Sequence, residues 1–177
     1  ALLQLPNGET MTVLNGYFPQ GENIDHATKF PAKRDFYAGL TQLLADEYHT
    51  SDHIVVMGDI NIAASDVDIG IGDDNRKRWL KTGKASFQPV EREWLERLMQ
   101  FGLTDSYRAL HPHEQHYSWF DYRSKGFDRE PRRGLRIDQI LLTQSLQSQV
   151  SEAGIDYGIR GMEKPSDHCP IYVRLDL

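Results

Sequence analysis

"HIVVMGDINIAAS", residues 53–65, decides how the rest of the chain is read. Ile54-Val55-Val56-Met57 is a short apolar run rich in β-branched side chains, the composition of a strand buried on both faces. The run ends at Gly58, and the chain then presents Asp59 and Asn61 with one residue between them. Open α/β folds place chemistry on loops leaving the carboxyl ends of buried strands, because the strand fixes the loop. Asp59 offers a hard anionic oxygen and Asn61 a neutral oxygen or an amide donor. That pair suits Mg²⁺ or Mn²⁺ with positions left open for water and phosphate. The same residue types also form Asx turns that merely end a strand, and this stretch alone weighs the two readings evenly.

Upstream, "LLQL" and "TMTVLNGY" flank Asn7-Gly8, a hairpin signal. A polar loop follows, then a helix with Pro31 in its first turn and Phe36, Leu40, Leu43 and Leu44 on its apolar face, running to about Tyr48. Downstream, residues 63–86 read as loop with a short helix at "DDNRKRWLKT", carrying Arg76, Lys77, Arg78, Lys81 and Lys84. "PVEREWLERLMQFG" is the clearest helix, with Pro89 near its start, Trp94, Leu95, Leu98 and Phe101 inward, and Gly102 ending it. "YSWFDY" (117–122), "LRIDQILLT", "QVSEAGIDY" and "CPIYVRLDL" read as strands. No repeat or linker interrupts this order, so a single α/β unit spanning 1–177 is the economical arrangement.

The bulk numbers bound rather than decide. With 177 residues the chain can bury a real core, and its 39% hydrophobic and 26% charged content is that of a globular protein. No apolar run approaches the ~20 residues of a membrane span, so no membrane partner is expected. One cysteine, Cys169, can form no internal disulfide, which makes a cytoplasmic location the expectation. The net charge of −6 argues mildly against a protein that coats nucleic acid, but not against an enzyme gripping it through a local basic face.

Four further stretches carry chemistry. "SDHCP" puts Asp167 beside His168, a carboxylate and an imidazole that titrates near neutrality, and only a turn could converge both. The bland alternative is a surface turn. In "GLRIDQILL", Asp138 sits inside an apolar strand, where an unpaired carboxylate costs several kcal/mol. It therefore calls for an imidazole or a metal, since Arg136 lies alongside it on the same face, unless the strand is an edge and Asp138 faces water. "NGYFPQG" places Tyr17 and Gln20 after a strand, and a phenol there can reach a phosphate oxygen or only pack. In "YSWFDYRSKGFD", Trp119, Phe120 and Tyr122 interleave with Arg123 and Lys125, the mix of stacking rings and cations found on nucleic-acid surfaces. One of Trp119 and Phe120 must face away from the core.

Taken together and in order, "NGYFPQG", "KFPAKRDFY", "MGDINIA", "DIGIGDDNRKRWLKTGKASF", "EREWLERLM", "YSWFDYRSKGFD", "RGLRIDQILL", "GIDYGIR" and "MEKPSDHCPIYV" resemble the endonuclease/exonuclease/phosphatase superfamily, the deoxyribonuclease I-like fold. The resemblance covers nearly the whole chain. "WFDYRSKGFD" with "RGLRID" points to its exonuclease III and abasic-endonuclease branch. It implies the C-terminal portion of a four-layer α/β sandwich, two packed sheets flanked by helices. It also implies a Mg²⁺-dependent (or Mn²⁺-dependent) phosphodiesterase on double-stranded DNA, especially abasic or nicked, working as a 3′→5′ exonuclease and abasic-site endonuclease and monomeric when complete. Carried over by motif, Tyr17, Asp59, Asn61, Asp138 and His168 are catalytic. Asp59, Asn61 and Asp167 surround the metal, and Gln20, Arg76, Lys77, Arg78, Trp119, Phe120, Arg123 and Lys125 contact DNA.

The family pattern also places an asparagine and a metal-binding glutamate in a "QET"-like motif ahead of the residues present here. It implies a whole protein of about 250–280 residues, weak or no turnover from these 177 alone, and exposed sheet edges. Two other functions stay open at this point. One is a phosphoesterase of the same fold acting on inositol phosphates or lipid head groups. The other is a noncatalytic DNA-binding fragment.

Overall fold

The computed structural model describes residues 1–177. The apolar run of the opening stretch forms β3 (His53–Asp59) at the centre of a five-stranded sheet. Its other strands are β1 (Leu2–Gln4), β2 (Thr10–Tyr17), β4 (Leu103–Asp105) and β5 (Asp138–Thr143), in the order β1-β2-β3-β5-β4. β2 and β3 run parallel, so the chain crosses over between them through α1 (Lys29–Glu47), as parallel neighbours require. The other pairings are antiparallel. A second sheet holds β6 (Val150–Ile155) and β7 (Ile171–Leu175). The remaining helices are α2 (Asp73–Thr82), α3 (Pro89–Met99), α4 (Ser106–Leu110), α5 (Gln144–Gln147) and α6 (Tyr157–Arg160).

The period-two alternation of β3 explains the layering. Ile54 and Val56 face α1 and α3 in a core with Tyr37, Leu44, Trp94, Leu95 and Leu98. Val55 faces the other way, into a core with Ile140, Leu142 and Leu146 that Ile171, Val173 and Leu175 of the second sheet cover. This is the α/β layering expected: helices, sheet, second sheet. β1 and β4 are the outer strands of the large sheet, and Leu2 and Leu3 of β1 and Tyr172 of β7 are exposed. No helix is long and apolar enough to cross a membrane.

Three expectations need correction. The buried stripe of α1 is Lys33, Tyr37 and Leu44 with Leu40 beside it, while Phe36 and Leu43 are exposed. The helical period is right but the face is rotated, because a lysine hides inside the stripe. Secondly, "YSWFDY" is not a strand. Trp119 pairs with both Leu135 and His168 as isolated bridges, so the segment changes partner before any ladder can extend. Thirdly, the segment before Asp138 stays outside β5, which begins at Asp138 itself.

Candidate active site

Three adjacent strand ends set the site. The register pairs Tyr17 of β2 with Asp59 of β3, and Asp59 with Asp138 of β5. Cross-strand partners share a face, so a phenol and two carboxylates stand in a row. The close approach at this end depends on Gly58, at φ 127°, where a Cβ would lie 2.0 Å from the Gly16 carbonyl oxygen. The double bridge at Trp119 then brings the turn carrying His168 onto the same end.

His168 Nδ1 lies 2.9 Å from Asp138 Oδ2, and its Nε2 lies 3.8 Å from Asp59 Oδ2. Ser118 Oγ donates to Asp138 Oδ2 at 2.6 Å and itself accepts the backbone N–H of Asp138. Asp138 thus has the imidazole partner its burial calls for, and Arg136 points elsewhere. Asn61 sits at φ 56°, a left-handed conformation Asn tolerates better than most residues. Its N–H donates to Asp59 Oδ1 at 3.0 Å, and its Nδ2 donates to Asp59 Oδ2 and to the Phe18 carbonyl. The two readings of the opening stretch are therefore not exclusive: an Asx turn forms, and it faces a cleft.

Burial and the neighbouring Asp138 charge push the Asp59 carboxyl up to about 6, against the pull of His168, the Asn61 N–H and Lys33. For His168, burial opposes the charged ring. The hydrogen bond and charge of Asp138, with Asp59 and Asp167 behind, outweigh it and raise the imidazole above its ordinary value.

Tyr17, Gln20, Asp59, Asn61, Trp119, Asp167 and His168 line one cleft of about 230 Å³, and Asp138 lies behind His168. Asp167 Oδ2 accepts from Trp119 Nε1 at 3.0 Å. Lys77, Arg78, Arg123 and Lys125 are exposed. One DNA-contact expectation is corrected. Phe120 is fully buried against Tyr117, Phe127 and Tyr157, so Trp119 is the ring that faces outward. Arg76, partly exposed, pairs with Asp66 at 2.6 Å.

Sequence reading missed the floor of the site. Lys33, fully buried, donates from Nζ to the Asn61 carbonyl at 2.8 Å and to Glu91 at 2.6 Å, and Tyr37 donates to the Ile60 carbonyl. Together α1 and α3 hold the 59–61 loop from beneath. The four-residue step from Lys33 to Tyr37 puts both on one helical face, but a lysine there gives no local sign of burial.

Ligand atoms of Asp59, Asp138 and His168 lie within 4.8 Å of one another. Two carboxylates, Asp59 in the cleft and Asp138 behind His168, with the Asp59 carboxyl driven up to about 6, form an oxygen-rich set short of positive charge. That donor set fits a hard divalent cation. Asp59 is the residue common to this trio and to the expected metal set; Asn61 and Asp167 share the cleft without joining the trio.

Residues 2–168 match the Endonuclease/Exonuclease/phosphatase family. The chain belongs to that family. It is 60% identical over 163 residues to the exodeoxyribonuclease III of Haemophilus influenzae, covering 92% of this chain and 60% of the relative. Among solved structures it is similar to an AP endonuclease from Archaeoglobus fulgidus (TM-score 0.85, 30% identity, 99% of this chain and 64% of that one). It is also similar to the 3′ phosphatase NExo from Neisseria bound to a product DNA hairpin (TM-score 0.83, 36% identity, 96% and 62%). The chain thus spans about three fifths of the length of the relatives it matches.

Proposed function

We propose that this chain carries the phosphodiesterase site of a DNA repair nuclease of the exonuclease III type. It would act on duplex DNA as a 3′→5′ exonuclease and as an endonuclease at abasic sites, with Mg²⁺ or Mn²⁺ as cofactor. The observation that carries this reading is the row Tyr17–Asp59–Asp138, with His168 held by Asp138 and facing the cleft and Asn61 beside Asp59. The similarity to a 3′ phosphatase bound to a product DNA hairpin supports DNA over an inositol phosphate or lipid head group.

Hydrolysis at phosphorus needs an activated water and stabilisation of the charge that builds on the phosphate oxygens. Asp59, its carboxyl raised to about 6, is a carboxylate at neutral pH that is basic enough to take a proton from water. His168, held at Nδ1 by Asp138, can present only Nε2 to the cleft, where as an imidazolium it donates to a phosphate oxygen. The exposed Tyr17 hydroxyl donates from the opposite side of Asp59, and Asn61 adds a polar contact from the turn. A divalent cation held at Asp59, with Asn61 and Asp167 lining the same cleft, would supply Lewis-acid neutralisation of the phosphate.

Incubation with duplex carrying one abasic site and Mg²⁺ tests this. Weak cleavage beside the lesion is expected from these 177 residues, abolished by chelator and in both Asp59→Asn and His168→Asn. Cleavage that persists in chelator, or unchanged in both variants, overturns it. Binding without cleavage would favour the noncatalytic DNA-binding reading, which the partial coverage of the relatives keeps open.

A further inference from the structure

A second cavity, of about 150 Å³, adjoins the cleft and shares two of its walls, Trp79 and Trp119. Its other lining includes Asn75, Arg78, Arg129 and Arg133. These arginines differ from several others in the molecule. Arg76, Arg92, Arg108 and Arg136 each pair with a carboxylate. Arg78, Arg129 and Arg133 pair with none: Arg78 bonds the Asn75 side-chain oxygen and Arg129 the Ser124 carbonyl. The one acid in the cavity, Asp121, is turned to the backbone N–H groups of Arg123 and Ser124. The positive potential spreads to Lys84, which sits 3.8 Å over the Trp79 ring on the cleft side. The ring itself is stacked flat on Phe87, so it is a rigid wall.

Three unpaired guanidiniums converging beside two indoles fit a phosphodiester with its sugar or base against an aromatic face. We propose that this cavity is a second phosphate subsite. It would take one neighbouring phosphate of the DNA strand whose scissile phosphate lies in the cleft, with Arg129 and Arg133 as its principal donors and Trp119 as the partition between the two phosphates. The proposal rests on the DNA reading above. It assigns to residues 129–133 a role in register: a strand held at both phosphates cannot slide by one nucleotide.

Equilibrium binding of the chain to a duplex with one abasic site tests it, in chelator so that nothing is cleaved. A set of duplexes carries a single uncharged methylphosphonate at successive positions around the lesion. For the wild type, one position flanking the scissile phosphate is expected to weaken binding about 10-fold. In the Arg129→Gln/Arg133→Gln variant that position becomes indistinguishable from natural DNA, while substitution at the scissile phosphate still weakens binding. The slope of log K against log salt falls by about 2 in the same variant. Methylphosphonate sensitivity identical in wild type and variant overturns the subsite and leaves the DNA reading intact. Absence of DNA binding by the folded wild type overturns both. Circular dichroism and Arg129→Lys, which keeps the charge and most of the salt slope, separate lost contact from lost fold.

Discussion

Two clusters of buried carboxylates lie two residues apart along the same segment, and they are built on opposite principles. At Arg136 the charges balance. Its Nε donates to Asp68 at 2.7 Å and its Nη2 to Asp105 at 2.6 Å, while Arg108 adds a second guanidinium to Asp68. At Asp138 they do not balance: two carboxylates share one imidazole. The acids respond in opposite directions. Burial pushes Asp68 up, but Arg136, Ser65 and Arg108 overcome it and hold the carboxyl below its ordinary value. Burial pushes Asp59 up, Asp138 pushes the same way, and the carboxyl rises to about 6. Burial is common to both, so it does not distinguish structure from function. The missing counter-charge does, because it leaves a place for something that is not protein.

The largest effect should come from breaking the balanced cluster. Arg136→Met leaves Asp105 without a counter-charge and Asp68 with Arg108 alone, in an environment that excludes water, and removal of one member of such a cluster typically costs about 3–5 kcal/mol. Urea unfolding measures it directly. A loss under ~1 kcal/mol would mean the cluster is wet and the contrast with the cleft is false.

The unbalanced cluster should respond with the opposite sign. Asp59→Asn removes a carboxylate whose pKa the folded state pushes up to about 6, a penalty on the order of 1–3 kcal/mol at neutral pH. The variant is therefore expected to be more stable than wild type in chelator, and saturating Mg²⁺ should erase the advantage by stabilising only the wild type. Destabilisation by Asp59→Asn in chelator would break the comparison.

Acid–base behaviour sharpens it further. Asp59 keeps its proton longer folded than unfolded, so metal-free stability should fall as pH rises from about 4 to about 6. His168, also raised, contributes stability present below about 6.5 and lost as pH climbs through its folded value. Asp68 works in reverse, stabilising above about 4 and losing that contribution as pH drops through its depressed folded value. Metal-free protein is thus expected to be most stable in the mildly acidic range, with Asp59→Asn flattening the limb between 4 and 6. A stability maximum at neutral pH in chelator, unchanged by that variant, would count against the assignment.

How much of this was legible follows from what each signal depends on. β3 and its Asp59/Asn61 turn could be read from local pattern, since a β-branched run ending in Gly-Asp is a short-range statement. Asp138 was readable as needing a partner because burial of a lone acid is costly in any fold. Lys33, Glu91 and the Arg136 cluster were not, because their partners are 58, 68 and 31 residues away and polar residue types argue against burial. Phe120 misled for the converse reason: local alternation says that one aromatic turns outward, and only the contact of Trp119 with Leu135 and His168 decides which.

That choice of Trp119 carries the smallest effect. Its Nε1 donates to Asp167 at 3.0 Å, but Asp167 is only half-buried and water can take the place of the indole. Trp119→Phe keeps a flat ring and deletes only the donor, so a cost near ~1 kcal/mol is expected. That is well short of the penalty at Arg136, where no water replaces the lost partner. The two values fix the ends of one scale, on which the cost of losing a carboxylate's partner grows with the water excluded from it. If Trp119→Phe proved as costly as Arg136→Met, Asp167 would have to be dry in the folded protein. It would then join Asp59 and Asp138 as a third uncompensated acid, and the charge deficit that a cation must meet would be larger by one.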